Sequence, residues 1–92
     1  MYWVYAIRSS KSNRLYIGQT NHVTRRIEEH NKGLVKSTQN DKPWQLIAVE
    51  TFQARNEARW TERILKKSKG KRDKWLRAHK IASDKDVKYR IL

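Results

Sequence analysis

Two short runs near the start of the chain are rich in aromatic and β-branched residues and are typical of β-strands. They are YWVYAIR, residues 2–8, and RLYIGQT, residues 14–20, with a polar stretch of turn composition between them. This pattern predicts a β-hairpin. With a loop over residues 9–12, Tyr5 lies directly opposite Tyr16 on one face of the sheet.

The segment NHVTRRIEEHNKG changes to helical periodicity, with apolar positions three and four residues apart. It predicts an amphipathic helix over about 22–32, with Asn21 as the N-cap and Gly33 just after the C-terminus. Arg26 and His30 are four residues apart, so both project from one flank of the apolar stripe.

The second half of the chain predicts one strand and two helices. Residues 34–43 have the composition of an exposed basic loop, and WQLIAVETF, 44–52, predicts a third strand. In the helix expected over 54–67, Glu62 falls at the border between the apolar stripe and a face rich in Arg and Lys. Gly70 is expected to end this helical segment, and a third helix is expected to follow it.

These elements predict an α+β fold, a small three-stranded antiparallel sheet flanked by about three helices. A chain of 92 residues has room for one core. We expect a single domain over 1–82, with 83–92 as a tail of the same domain, either docked or forming a short strand.

Composition points to a polyanionic partner. The chain has 22 Lys and Arg against nine Asp and Glu, a formal net charge of +13, spread along its length. Nucleic acid is the leading candidate, because a cationic surface neutralises phosphates whatever the base sequence. An anionic membrane surface is the rival, but the chain lacks a long amphipathic helix with bulky apolar residues opposite lysines. We expect no membrane partner and no small-molecule cofactor.

The apolar start MYWVYAI is too short for a signal peptide, and no run approaches the ~20 apolar residues that span a bilayer, so we expect a cytoplasmic protein. The absence of cysteine excludes disulfides, thiolate zinc sites and a cysteine nucleophile.

Two tyrosines, a histidine and a glutamate, together with one helix arginine, suggest a site that hydrolyses phosphodiester bonds: Tyr5, Tyr16, His30, Glu62 and Arg26. Such hydrolysis needs a cation on the phosphate and a base that activates water. Glu62 is expected to hold Mg²⁺, with Mn²⁺ as the alternative. Tyr16 is the candidate base, Arg26 the phosphate ligand, and His30 either orients a partner or exchanges a proton.

The order of these motifs resembles the GIY-YIG nuclease superfamily. A strand with V-Y is followed by a strand with Y-I-G, a helix with R-R-I-x-x-H-N and a later helix with E-A-x-x-x-E-x-x-L-K-K. The likeness covers roughly residues 2–76 and is strongest with the small single-domain branch, related to the nuclease domain of the bacterial excision-repair endonuclease. It implies the same fold, a three-stranded antiparallel sheet with helices around it.

The resemblance implies roles for individual positions on the two strands. Tyr5 matches the tyrosine of the first half of the signature, and Tyr16 and Gly18 match the second half. The glycine is expected to let the backbone approach the site closely. Trp3 replaces the first glycine of the signature, and Gln19 stands where the excision-repair relatives have a lysine.

On the helices, the resemblance implies that Arg26 is the helix arginine, His30 the His-or-Tyr position one turn later and Glu62 the metal-binding glutamate. Basic residues near these positions are candidates for binding the phosphate backbone: Arg25, Lys36, Arg55, Arg59, Lys66, Lys67, Lys69, Lys71 and Arg72.

The sequence therefore favours a metal-dependent endonuclease that cuts one strand per site, with DNA expected rather than RNA. A dimer or a protein partner is expected where specificity or double-strand cleavage is needed. The alternative is a non-catalytic nucleic-acid-binding module on a nuclease-like fold. Among the tryptophans, Trp60 lies away from the inward stripe of its helix and is the candidate for exposure.

Overall fold

The computed structural model describes residues 1–81 and shows an α+β fold. Three antiparallel strands form one sheet in the order β2-β1-β3, and three helices pack around it. In chain order the elements are β1 (Tyr2–Ser9), β2 (Leu15–Thr20), α1 (Val23–Asn31), β3 (Trp44–Phe52), α2 (Arg55–Lys67) and α3 (Lys69–His79). None of the helices within residues 1–81 is long and apolar enough to cross a membrane. The predicted tail, 83–92, lies outside the described residues.

Alternation along the central strand β1 divides the core between the two faces of the sheet. Val4 and Ala6 point to the face that α2 and α3 cover, and Tyr5 and Ile7 point to the face that α1 covers. All four side chains are at most 1% exposed, because β1 has a strand on either side and helices on both faces.

The strand positions of the hairpin are close to the prediction, but the predicted register is wrong by two residues. Tyr5 pairs with Gly18, and Tyr16 pairs with Ile7. Strand β1 extends through Ser9 and β2 begins only at Leu15, so the turn covers residues 10–14, and the Ser9 hydroxyl accepts two of its amide N–H groups. Asn13, at φ 63°, then redirects the chain. Because side chains alternate with period two, both tyrosines still share one face.

Helix α1 begins differently from the prediction. His22, not Asn21, is the N-cap, and its Nδ1 accepts the backbone N–H of Arg25 at 3.2 Å. The Asn21 side chain instead accepts a hydrogen bond from the Arg25 guanidinium at 3.3 Å. His22 therefore caps the helix backbone, and Asn21 binds a side chain of the first turn. The predicted C-terminal glycine is confirmed, since Gly33 follows the cap with φ +77°.

The break between the second and third helices lies at Ser68, and the prediction of a break at Gly70 is wrong. Ser68 is extended, with φ −120°; its N–H donates to the Ile64 carbonyl and its hydroxyl accepts the Lys71 N–H. One serine therefore ends α2 and caps α3. Gly70 lies in the first turn of α3.

The loop over 34–43 is not uniformly exposed as predicted, because it folds back onto the sheet. Thr38 is fully buried, and its carbonyl accepts the Trp44 indole N–H at 2.9 Å. Arg14 fastens the loop to the hairpin turn through an ion pair of 2.8 Å with Asp41. A polar segment thus supplies one buried side chain to the face that α1 covers.

Candidate active site

The first tyrosine packs directly over a glycine on the neighbouring strand. A Cβ added at Gly18 would lie 2.6 Å from Cζ of Tyr5 and would collide with the Tyr5 hydroxyl. Any side chain larger than hydrogen would displace the phenol, which is 1% exposed. The glycine expected to allow a close backbone approach therefore admits the Tyr5 ring.

Tyr5 begins a buried chain of hydrogen bonds. Its hydroxyl lies 2.8 Å from Nε2 of His30, and Nδ1 of His30 lies 2.7 Å from Oγ1 of Thr38. The Thr38 hydroxyl donates to the Val35 carbonyl at 3.3 Å, so its oxygen accepts from His30. His30 then carries its proton on Nδ1 and accepts the Tyr5 O–H at Nε2.

The protonation of this chain follows from its burial. Burial lowers the pKa of His30 to about 4, and the nearby Arg26 charge acts in the same direction. Burial raises the pKa of Tyr5 above its ordinary value, although the Arg26 guanidinium beside its hydroxyl opposes that shift. At neutral pH the phenol is therefore protonated and the imidazole is neutral, so Tyr5 serves as a hydrogen-bond donor.

Arg26 lies on α1 at the edge of this buried chain. Its guanidinium pairs with the Glu29 carboxylate at 3.1 Å, and its side chain is 37% exposed. Burial works to lower the pKa of Arg26, but the Tyr5 hydroxyl and the Glu29 carboxylate raise it on balance. The cation is therefore held beside Tyr5 and remains accessible to a ligand.

Tyr16 lies closer to solvent than Tyr5, on the edge strand of the sheet. Its ring centroid is 5.2 Å from that of His30 and 6.5 Å from that of Tyr5. From the other side, Nζ of Lys66 on α2 lies 5.6 Å from the Tyr16 ring centroid and 2.9 Å from a Glu62 carboxylate oxygen. Lys66 thus links the tyrosine to the glutamate.

A cavity of about 300 Å³ opens beside Tyr16 between β2 and the helices. Its lining combines the apolar edge of β2 with two cations: Leu15, Tyr16, Ile17, Lys66 and Arg72. A concave surface that joins a phenol to two positively charged side chains suits an anionic group such as a phosphate.

Within residues 1–81, no cluster of three or more His, Asp or Glu side chains could enclose a metal ion. Glu62 offers a single carboxylate with 21% of its side chain exposed. This donor set fits Mg²⁺, which often takes one or two protein carboxylates and fills its remaining positions with water and substrate phosphate. It does not fit an ion that needs an all-protein cage.

The nine basic residues predicted to bind the phosphate backbone differ in exposure. All are exposed except Arg72, which is half-buried and donates to the Leu65 carbonyl at 3.2 Å. Lys66 and Arg72 line the cavity beside Tyr16. The exposed members are Arg25, Lys36, Arg55, Arg59, Lys66, Lys67, Lys69 and Lys71.

The structure brings Tyr5, Tyr16 and His30 into one aromatic group, with Arg26 and Glu62 at its borders. It adds Thr38, which the sequence reasoning missed. Thr38 lies in a polar loop without periodicity, so local sequence carries no signal for its burial.

Comparisons with known proteins agree with this arrangement. The GIY-YIG catalytic domain matches residues 1–75. UPF0213 protein lwe0147 of Listeria welshimeri is 41% identical over 66 residues, which cover 70% of this chain and 73% of that protein. UPF0213 protein CPE1444 of Clostridium perfringens is 37% identical over 68 residues, covering 73% and 72%.

A second group of relatives is much longer. The "structure-specific endonuclease subunit slx1" of Aspergillus oryzae is 41% identical over 63 residues, which cover 62% of this chain but 16% of that protein. This chain therefore spans a small part of the slx1 relatives. The chain belongs to the GIY-YIG nuclease family, with small UPF0213 proteins among its relatives.

Proposed function

We propose that the protein is a metal-dependent endonuclease that hydrolyses phosphodiester bonds in DNA and cuts one strand at each site. The observation that carries the proposal is the link from Tyr16 through Lys66 to Glu62 at the rim of a cationic cavity. A molecule that only bound phosphate would have no need to keep a carboxylate among the cations that attract its ligand.

The two tyrosines take different tasks in this proposal. Tyr16 is the general base, because it lines the cavity, whereas Tyr5 is buried and protonated. The rings of Tyr5 and His30 pack against the Tyr16 ring and hold it in position. Arg26 neutralises charge on the phosphate from the α1 side.

Glu62 holds the divalent ion, Mg²⁺ or Mn²⁺, and that ion supplies Lewis-acid stabilisation of the phosphate when it is bound. Lys66 pairs with one oxygen of Glu62, so it restrains the carboxylate in place. The same ammonium group lies over the Tyr16 ring, so it places a positive charge beside both proposed groups.

One constellation per chain supports cleavage of one strand at a time. Cleavage of both strands requires two events, a second copy or a protein partner. The name of the Aspergillus relative describes it as a subunit, which supports the proposal that a partner contributes specificity.

The test is nicking of supercoiled plasmid and cleavage of labelled single-stranded, branched and duplex DNA and of RNA, in Mg²⁺, Mn²⁺ or EDTA. Glu62→Gln and Tyr16→Phe should each lower cleavage by at least about 100-fold, equivalent to about 2.7 kcal/mol of barrier, and leave binding within about twofold. Glu28→Ala is the matched control, because Glu28 is an exposed acid on α1.

Equal cleavage by wild type and Glu62→Gln would refute the assignment. A folded wild type that binds DNA but cuts no substrate in either metal would support the alternative of a non-catalytic binding module.

A further inference from the structure

The outer face of α2 presents a tryptophan to solvent. Trp60 is 62% exposed, and Ala58 and Leu65 on the opposite side of the same helix are buried. The other three tryptophans are buried or half-buried: Trp3, Trp44 and Trp75. Core packing does not account for a tryptophan at this exposed position. The residues around it therefore indicate which kind of ligand it binds.

Cations connect Glu62 to Trp60 around the circumference of the helix. At about 100° per residue, Trp60 lies about 160° from Glu62, and four basic residues lie at about 40°, 60°, 100° and 140° along the same arc. In that order they are Lys66, Arg59, Arg63 and Lys67, all exposed. On a helix of 10–12 Å diameter the arc is about 15 Å long, the length of a few nucleotides.

The charge of this arc is largely uncompensated. Among the residues that the structure describes, Lys66 is the single member of the four with a carboxylate partner, Glu62 itself at 2.9 Å. Cations without acidic partners suit phosphates, and an exposed indole suits the face of a base. A protein partner would have to supply acidic groups along the whole arc. Every nucleotide of a nucleic-acid strand, in contrast, carries a phosphate for the cations and a base for the indole.

We propose that the outer face of α2, formed by Arg59, Trp60, Arg63 and Lys67, binds a single-stranded segment of the substrate, with an unpaired base stacked on Trp60. The proposal rests on the proposed nuclease function only for the direction of the strand, from the cavity toward Trp60. In a duplex the bases stack on one another, so Trp60 selects substrates with unpaired bases near the cleavage position.

Binding is measured in EDTA, so that no cleavage occurs, with fluorescein-labelled oligothymidylate and a duplex of equal length. Trp60→Ala should weaken binding to the single strand by at least about fivefold, as expected for one lost stacking contact, and change duplex affinity by less than twofold. Trp60→Phe should retain most of the affinity. Leu34→Ala removes an exposed apolar side chain, 70% exposed, outside α2 and is the control.

Two outcomes would overturn the proposal. If Trp60→Ala leaves both affinities unchanged, this face serves another class of partner, such as a protein. If both affinities fall equally, Trp60 does not distinguish unpaired bases. Failure of this proposal can be distinguished from failure of the nuclease proposal. The effect of Trp60→Ala on binding should persist in the Glu62→Gln background, even if neither the wild type nor any variant cuts DNA.

Discussion

Gly18 and Gly70 predict opposite outcomes for the same substitution. Ala at Gly18 would place Cβ 2.6 Å from Cζ of Tyr5 and against its hydroxyl, whereas Ala at Gly70 would meet no atom within 4 Å. Gly18→Ala must displace a buried ring, and Gly70→Ala replaces a glycine in the first turn of α3 with a better helix former. The pair therefore separates the effect of a steric collision from that of backbone conformation.

The magnitude at Gly18 has two parts. Overpacking of a core contact costs about 1–3 kcal/mol. Displacement of the Tyr5 ring also breaks its 2.8 Å hydrogen bond to His30, which costs about 1–3 kcal/mol in a buried site. Gly18→Ala should therefore destabilise the fold by about 2–6 kcal/mol, and Gly70→Ala should stabilise it by about 0.5–1 kcal/mol.

Thermal and urea unfolding followed by circular dichroism measure both effects. For a domain of this size 1 kcal/mol corresponds to about 4–8 °C, so Gly18→Ala should lower Tm by at least about 8 °C and Gly70→Ala should raise it by a few degrees. Combining Gly18→Ala with Tyr5→Phe, which removes the phenol oxygen, should give a coupling energy of about 1 kcal/mol or more. A Tm within about 2 °C of wild type for Gly18→Ala would refute the packing argument.

Two further predictions concern the buried chain behind Tyr16. Thr38→Val leaves Nδ1 of His30 without an acceptor and should cost about 1–3 kcal/mol, while Thr38→Ser stays close to wild type in urea unfolding; equal stabilities would contradict the hydrogen bond. The pKa of His30 falls from about 6.5 unfolded to about 4 folded, so this group should remove about 3 kcal/mol of stability as pH falls from 7 to 4. Urea unfolding across this range should show that loss in wild type and not in His30→Gln; parallel profiles would contradict it.

Local patterns in the sequence predicted the elements well and their pairing less well. The third strand, 44–52, was predicted with the bounds that the structure shows, because Pro43 and its apolar alternation define it locally. The hairpin register depended on the turn, and a shift of two residues leaves the same side chains on the same face. Hydrophobic pattern therefore could not distinguish Tyr5 opposite Tyr16 from Tyr5 opposite Gly18.

The candidate site was predictable to the extent that it depends on the order of motifs along the chain. Five residues were chosen as candidates from their types and positions: Tyr5, Tyr16, Arg26, His30 and Glu62. The structure brings the two tyrosines and the histidine together. The acceptor of His30 was not predicted, because Thr38 reaches it through a loop whose path is set by distant contacts such as the Arg14–Asp41 ion pair.

Strand order gives the two tyrosines their different chemistry. Tyr5 lies on the central strand, where neighbours on both sides and α1 above exclude water and keep its phenol protonated. Tyr16 lies on the edge strand, where one flank remains open to the cavity and to Lys66 of α2. Two residues of the same type on the same face thus differ in burial because the sheet places them at different depths, and this difference underlies the proposal that Tyr5 is a hydrogen-bond donor and Tyr16 the base.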